Sequence, residues 1–272
     1  MGRVRLVVFD WAGTTVDHGC FAPVAPFVEA LARHGVRLSA EQARGPMGLE
    51  KKDHLRALLA LPEAQRQWVD AHGRACTDAD VDQIFVDFVP LQLASVTDAS
   101  VLIDGVLETV AALRAQDIKI STSTGYFAEA AERCYAAAAA QGYRPDRNVH
   151  PGNVSAGRPA PWMIFRGMEA VGVYPPADVV KVGDTVPDVL EGLSAGAWSI
   201  GVAASGSEVG LSADELALLP SDERSRRVAS AAAHLYEAGA HFVIDTVRDL
   251  PPLVAAIHDL RGRDELPTVL AT

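Results

Sequence analysis

The 272-residue chain predicts an α/β fold, a Rossmann-like parallel sheet with a helical cap domain inserted after its first strand. Three observations carry that prediction. Short β-branched runs alternate with alanine- and leucine-rich helical stretches, residues 20–98 show helical periodicity with almost no strand signal, and a polar residue follows each of three strand-like runs.

The first strand is read at 4–9 (VRLVVF), which stops at Asp10. A linker at Val16–Phe21 leads into four helical segments, PVAPFVEALARHG, EKKDHLRALLALP, EAQRQWVDAHGRA and DADVDQIFVDFVPLQLAS, and a second linker at Val96–Asp104 returns to the sheet. Residues 1–19 and 99–272 are therefore expected to form the core and 20–98 the cap. Further strands are expected at 117–122 (DIKIST), 178–183 (DVVKVG), 197–202 (AWSIGV) and 241–245 (HFVID). The alanine run Ala136–Ala140 reads as the end of a helix that stops at Gly142.

With 49% hydrophobic residues the chain can bury a sizeable core, and 35 acidic against 24 basic side chains give a formal charge of -11. That balance repels phosphate backbones and anionic lipid heads, so neither nucleic acid nor membrane is an expected partner. Three widely spaced cysteines, Cys20, Cys76 and Cys134, suit neither a disulfide framework nor a zinc site and fit a reducing cytoplasm. The N-terminus lacks the apolar run of a signal peptide, and no stretch approaches the roughly 20 residues of a membrane span. Only four lysines occur, Lys51, Lys52, Lys119 and Lys181.

Asp10, Thr124 and Asp184 each follow a strand, where open α/β sheets bind their ligands. A strand-end carboxylate followed by the small turn Ala12–Gly13 can offer a nucleophilic oxygen and open N–H groups to a phosphoryl group, and Asp184 can share Mg²⁺ with it. Any one of these residues alone is an ordinary turn former or helix cap. Together, FDWAGTTVD, STSTGY and GDTVPD in chain order resemble the motifs of the haloacid dehalogenase superfamily. The resemblance implies Asp10 as nucleophile, Thr124 as a hydrogen-bond donor to the phosphoryl oxygens, Arg158 as the basic residue and Asp184 as a magnesium ligand. Asp188 also reads as the capping partner of Thr185 and is given at most a supporting place behind the metal. Phosphatases of the superfamily carry a second aspartate two positions after the nucleophile, where this chain has Ala12, which has only its backbone carbonyl for the metal. General acid–base help of about 10² to 10⁴ in rate is thus missing for an alcohol leaving group.

In EKKDHLRALLALP, Leu55, Leu58 and Leu59 set an apolar stripe; Lys51 projects about 30° from its centre and Lys52 about twice as far on the other side. A lysine so placed loses its proton more readily when desolvated and can form a Schiff base, whereas a lysine near a helix start is ordinarily solvated. FDWAGTTVDHGCFAP, ARGPMGLEKKDHLRAL, STSTGY, AGRPAPWM, KVGDTVPD and GAHF together resemble the phosphonoacetaldehyde hydrolase (phosphonatase) family. The resemblance implies cleavage of the carbon–phosphorus bond to acetaldehyde and phosphate in 2-aminoethylphosphonate degradation, with Lys51 forming the imine. It also implies a pocket lined by Met47, Cys20, Gly125, His54 and Tyr126, with proton-transfer roles for the last two. Met47 and Cys20 equally suit packing between domains, His54 a surface position, and Tyr126 a helix start. Ala160 departs from the larger residue expected there, and Cys76, Cys134 and His241 have no assigned role. Members are commonly homodimers, and PVAPFVEALARHG is a candidate interface. The competing readings are a magnesium-dependent phosphomonoesterase or phosphomutase, or a non-catalytic phosphoacceptor.

Overall fold

A computed structural model describes residues 2–267. In chain order the elements are β1 (Leu6–Phe9), α1 (Val24–Arg33), α2 (Ala40–Arg44), α3 (Lys51–Leu59), α4 (Pro62–His72), α5 (Asp78–Ala99), α6 (Val106–Arg114), β2 (Lys119–Ser123), α7 (Ala128–Ala140), β3 (Arg147–Val149), α8 (Trp162–Val171), β4 (Val179–Gly183), α9 (Val186–Ala195), β5 (Trp198–Val202), α10 (Ala213–Leu218), α11 (Ser221–Glu237), β6 (Phe242–Ile244) and α12 (Leu250–Gly262). The six strands pair in parallel in the order β3-β2-β1-β4-β5-β6. The chain runs from β1 through β2 to β3 on one side and then crosses back to place β4 on the other side of β1, so the strand order reverses at β1, where open sheets of this kind form a crevice at the carboxyl ends.

The period of two along the strands sorts the core into two layers. Val7, Phe9, Ile120, Val180 and Val182 join the residues of α6, α7 and α12, whereas Leu6, Val8 and Val179 pack with Ile164 and Met168 of α8 and Ala195 of α9. Lys181 shares the α8–α9 face with Val179. Five strands lie where the apolar runs predict them, but the short edge strand β3 was not anticipated. Three residues, RNV, are too few to show alternation; pairing of Ser121 with Arg147 and Ser123 with Val149 makes them a strand.

Helices α1–α5 surround a separate apolar cluster that includes Phe27, Leu31, Leu55, Leu58, Trp68, Ile84 and Phe88. The last of them runs four residues beyond its expected end at Ser95. The reason is packing at both ends: Ile84 and Phe88 belong to the helical cluster, while Val96 enters the sheet cluster and α5 packs against α7. Helix α1 turns its apolar face inward against α5, leaving Ala25, Glu29 and Arg33 to solvent. Helix α7 gives way to Gly142 at φ 101°, the turn that the alanine run foretold. No helix among the described residues is long and apolar enough to cross a membrane.

Phe88 is fully buried with its ring 4.5 Å from that of Phe27. Phe88→Ala is expected to lower stability by about 3–5 kcal/mol, read as a fall in the urea unfolding midpoint.

Candidate active site

Asp10 ends β1, its N–H bonded to the Val182 carbonyl at 2.8 Å, so its side chain emerges at the carboxyl edge of the two central strands. The turn that follows brings Gly13, at φ 86°, against Asp184: a Cβ there would lie 2.5 Å from Asp184 Oδ2. Only glycine permits so close an approach. Thr14 Oγ1 donates to Asp184 Oδ1 at 3.0 Å and the Ser207 N–H donates to Oδ2 at 2.9 Å. Oxygens of Asp10, Asp184 and Asp188 lie within 4.8 Å of one another, all buried.

Arg158 faces this cluster from the loop before α8. Its Nη2 reaches Asp10 Oδ1 at 2.6 Å, Nη1 lies 3.0 Å from Asp188 Oδ1, and Nε donates to Glu191 Oε2 at 3.1 Å. Lys181 adds a second cation, 2.8 Å from Asp188 Oδ1 and 3.2 Å from Glu191 Oε2. Four buried carboxylates thus face two buried cations. Burial raises the proton affinity of Asp10 against the opposing pull of Arg158. Burial, then the Asp10 and Asp188 carboxylates, push Asp184 well above the ordinary range. Burial acts in the same sense on Asp188, but Arg158 and Lys181 hold it below its ordinary value. Among the described residues no basic side chain pairs with Asp184. Two uncompensated negative charges and hard carboxylate oxygens at this spacing suit a divalent cation.

Asp10, Ala12, Cys20, Met47, Lys51, Thr124, Gly125, Tyr126, Arg158 and Thr185 line one small cavity together with Pro23 and Gly48. Helix α3 and the loop before it supply the wall opposite the sheet. A Cβ on Gly125 would strike the carbonyl oxygen of Leu49, and one on Gly48 would strike Thr185 Oγ1, so the helical block touches the strand-end loops closely at both glycines. Thr124 Oγ1 accepts from the Tyr126 N–H at 3.1 Å and keeps its own proton for donation. His54 lies outside the lining: Nε2 is 2.8 Å from the Ala43 carbonyl and the ring stacks on Phe27 at 3.8 Å. Asp184 and Asp188 are buried and do not line the cavity, and both belong to the carboxylate cluster with Asp10. Ala160 is half-buried and does not line the cavity.

Residues 4–196 match the model of the haloacid dehalogenase-like hydrolases. The chain is a haloacid dehalogenase-like hydrolase. It is 47% identical over 266 residues to the phosphonoacetaldehyde hydrolase of Syntrophobacter fumaroxidans, covering 98% of this chain and 96% of the relative. It is 45% identical to the enzyme of that name from Klebsiella pneumoniae, covering 98% and 100%. Among solved structures, a phosphonoacetaldehyde hydrolase-like protein from Oleispira antarctica superposes with a TM-score of 0.95 at 37% identity, covering 98% and 96% of the two chains.

In this hydrolase Lys51 opens α3 and is buried, 3% exposed, whereas Lys52 points outward to Asp82 at 2.6 Å. Burial lowers the Lys51 proton affinity to about 8, against some opposition from Cys20 and Asp10, and the positive end of α3 works in the same direction as burial. Its Nζ lies 5.0 Å from the Tyr126 ring centroid and 5.7 Å from that of Phe27. Burial, with some help from the Lys51 charge, brings His54 down to about 3, so its imidazole is neutral. Burial also lifts the Cys20 thiol and the Tyr126 phenol well above their usual ranges, keeping both protonated.

Ser123, Lys181 and Glu191, with the Asp184 partners Thr14 and Ser207, escaped the sequence reading. The available signal was Lys181 inside an apolar strand flanked by other strands, a position a lysine occupies only when paired.

Because the unfolded chain keeps a proton on Lys51 up to pH about 10.5 and the folded protein only to about 8, this residue makes stability rise with pH between those values. Lys51→Met removes the penalty and is expected to stabilise the fold by about 3 kcal/mol at pH 7, an advantage that fades by pH about 10.5. Denaturant titrations at the two pH values measure it.

Proposed function

We propose that this hydrolase cleaves the carbon–phosphorus bond of phosphonoacetaldehyde to acetaldehyde and inorganic phosphate, within 2-aminoethylphosphonate breakdown. The observation that carries the reading is one small cavity lined by both Asp10 and a buried, readily deprotonated Lys51, with Ala12 where an acid for an alcohol leaving group would stand. In this reading residues 20–98 act as the cap, and the enzyme works in the cytoplasm as a homodimer.

Direct rupture of the bond would expel a carbanion. The neutral Lys51 amine avoids this by adding to the aldehyde carbon and losing water to give an imine, which is then protonated. An Asp10 oxygen attacks phosphorus, the carbon–phosphorus bond breaks, and its electron pair moves into the iminium to leave a neutral enamine on Lys51. Arg158 and the Thr124 hydroxyl donate hydrogen bonds to the phosphoryl oxygens, where negative charge accumulates. One water attacks phosphorus of the aspartyl phosphate, releasing phosphate and restoring Asp10. The enamine takes a proton on carbon, and a second water hydrolyses the resulting imine to acetaldehyde and free Lys51. Tyr126, held as a phenol, can donate a proton near the imine, while neutral His54 acts from behind the wall by shaping the seat of Lys51. Met47 and Cys20 close the apolar side, and Gly125 lets the cap approach.

Asp10, Asp184 and the Ala12 carbonyl would hold Mg²⁺, with Asp188 beside them, and the ion when bound neutralises charge on the phosphoryl oxygens. Asp184→Asn is expected to weaken Mg²⁺ binding by more than about tenfold, measured by calorimetry on the protein without substrate.

Borohydride added with substrate is expected to reduce the imine and leave a two-carbon adduct on the peptide that contains Lys51. Below pH about 8 the initial trapping rate should fall about tenfold per pH unit as the amine gains its proton. Lys51→Arg should yield neither adduct nor acetaldehyde, and Lys52→Ala should yield both. A stable adduct found only on another residue, or efficient phosphate release from sugar phosphates without any adduct, overturns the assignment.

A further inference from the structure

Glu191 takes no part in the steps above, yet it is fully buried on α9 and sits at the centre of the polar network. A single oxygen, Oε2, accepts hydrogen bonds from Ser123 Oγ at 2.8 Å and Arg158 Nε at 3.1 Å, with Lys181 Nζ 3.2 Å away. Ser123 Oγ in turn accepts from Lys181 Nζ at 2.9 Å and from Arg158 Nη2 at 2.9 Å. Neither Glu191 nor Lys181 lines the cavity.

The guanidinium is a rigid planar fork, so fixing two of its nitrogens fixes the direction of the third. In Arg158 the Nε meets Glu191, Nη1 meets Asp188, and Nη2 meets Asp10. Ser123 holds Nη2 through its carbonyl and Oγ and Asp188 faces Nη1, while Glu191 is the one acceptor for Nε among the described residues and so anchors the stem side of the fork. Two carboxylates behind the arginine would also add negative charge beside the group that must attack an anionic phosphoryl centre. Lys181 touches both of those carboxylates and offsets that charge. The arrangement also differs from a device for stability alone, because buried ion clusters are often no more stabilising than apolar packing of the same volume.

We propose that Glu191, with Lys181 as its counter-charge, is a positioning residue that holds the Arg158 plane so that Nη2 faces Asp10. The inference rests on the reading of Arg158 as the phosphoryl-binding cation. It separates reach from charge: Glu191→Gln keeps an acceptor at the distance of Nε, whereas Glu191→Asp keeps the charge and withdraws the oxygens by one methylene.

The test measures kcat and KM for phosphonoacetaldehyde, borohydride trapping at Lys51, and crystal structures of both variants. A misplaced arginine should lower kcat of Glu191→Asp by about 10²-fold while KM and the Lys51 adduct stay within about threefold of the parent. Glu191→Gln should recover kcat to within about tenfold of the parent, with the Arg158–Asp10 contact kept. The inference is overturned by a folded Glu191→Asp protein with parental kcat, or by equal losses in the two variants with the Arg158–Asp10 contact intact. If Glu191→Asp does not fold, loss of the Arg158–Asp10 contact in Glu191→Gln also overturns it, and retention with near-parental kcat supports it. If the parent neither forms the adduct nor releases phosphate, the functional reading fails separately. The two crystal structures then decide the positioning role alone: the contact kept in Gln and lost in Asp supports it, and kept in both removes it.

Discussion

Arg158 is the residue on which the site turns. It joins Asp10 just after β1, Asp188 and Glu191 of α9 and the Ser123 carbonyl of β2 in one buried network, so two strands and a helix meet at one side chain. Burial alone would work against its charge, but Asp10, Asp188 and Glu191 more than offset that penalty and keep it protonated. The balance is still incomplete. Asp184 is surrounded by hydroxyl and N–H donors with no cation of the described chain in contact, and a divalent ion at the edge of the cluster is the natural complement.

On the opposite wall the physical situation is reversed. Lys51 lies among Phe27, Tyr126, Met47 and Cys20, at the positive end of a helix, with no carboxylate of the described residues in salt-bridge contact. The same removal from water that favours protonation of an isolated carboxylate favours loss of a proton from an isolated amine. One cavity can therefore hold a charge-stabilising side and an amine-based side, because each group's environment acts on its own ionisation. The glycines Gly48 and Gly125 make this possible by letting α3 and its preceding loop come close enough for the two sides to share a cavity.

Much of this arrangement was legible before any coordinates. Asp10 and Asp184 could be found because strand ends in a parallel sheet share one edge, and Lys51 could be separated from Lys52 because 100° per residue assigns them to different sides of one apolar stripe. Arg158 required a motif, since its loop carries no periodicity. Asp188 looked like a helix cap and does pair with Thr185 through Oδ2, but its Oδ1 meets Arg158 and Lys181 within the carboxylate cluster. Nothing local distinguishes those two uses. His54 shared a flank with Lys51 on the helix, yet a flank is wide enough to contain both a cavity wall and the packing layer behind it.

The sequence by itself determined where five of the six strands and the helical stretch of residues 20–98 form, the face of the Lys51 helix that turns inward, and which residues stand at the ends of the central strands, because these depend on spacings of two and 3.6 residues along one chain. The tertiary structure alone decided that Lys181, Ser123 and Glu191 meet, that α5 belongs to both apolar clusters, and that RNV forms an edge strand. These outcomes depend on distances between segments far apart in sequence. Whether a buried charge is tolerated is set by the partner that arrives across that distance, and no local pattern encodes it.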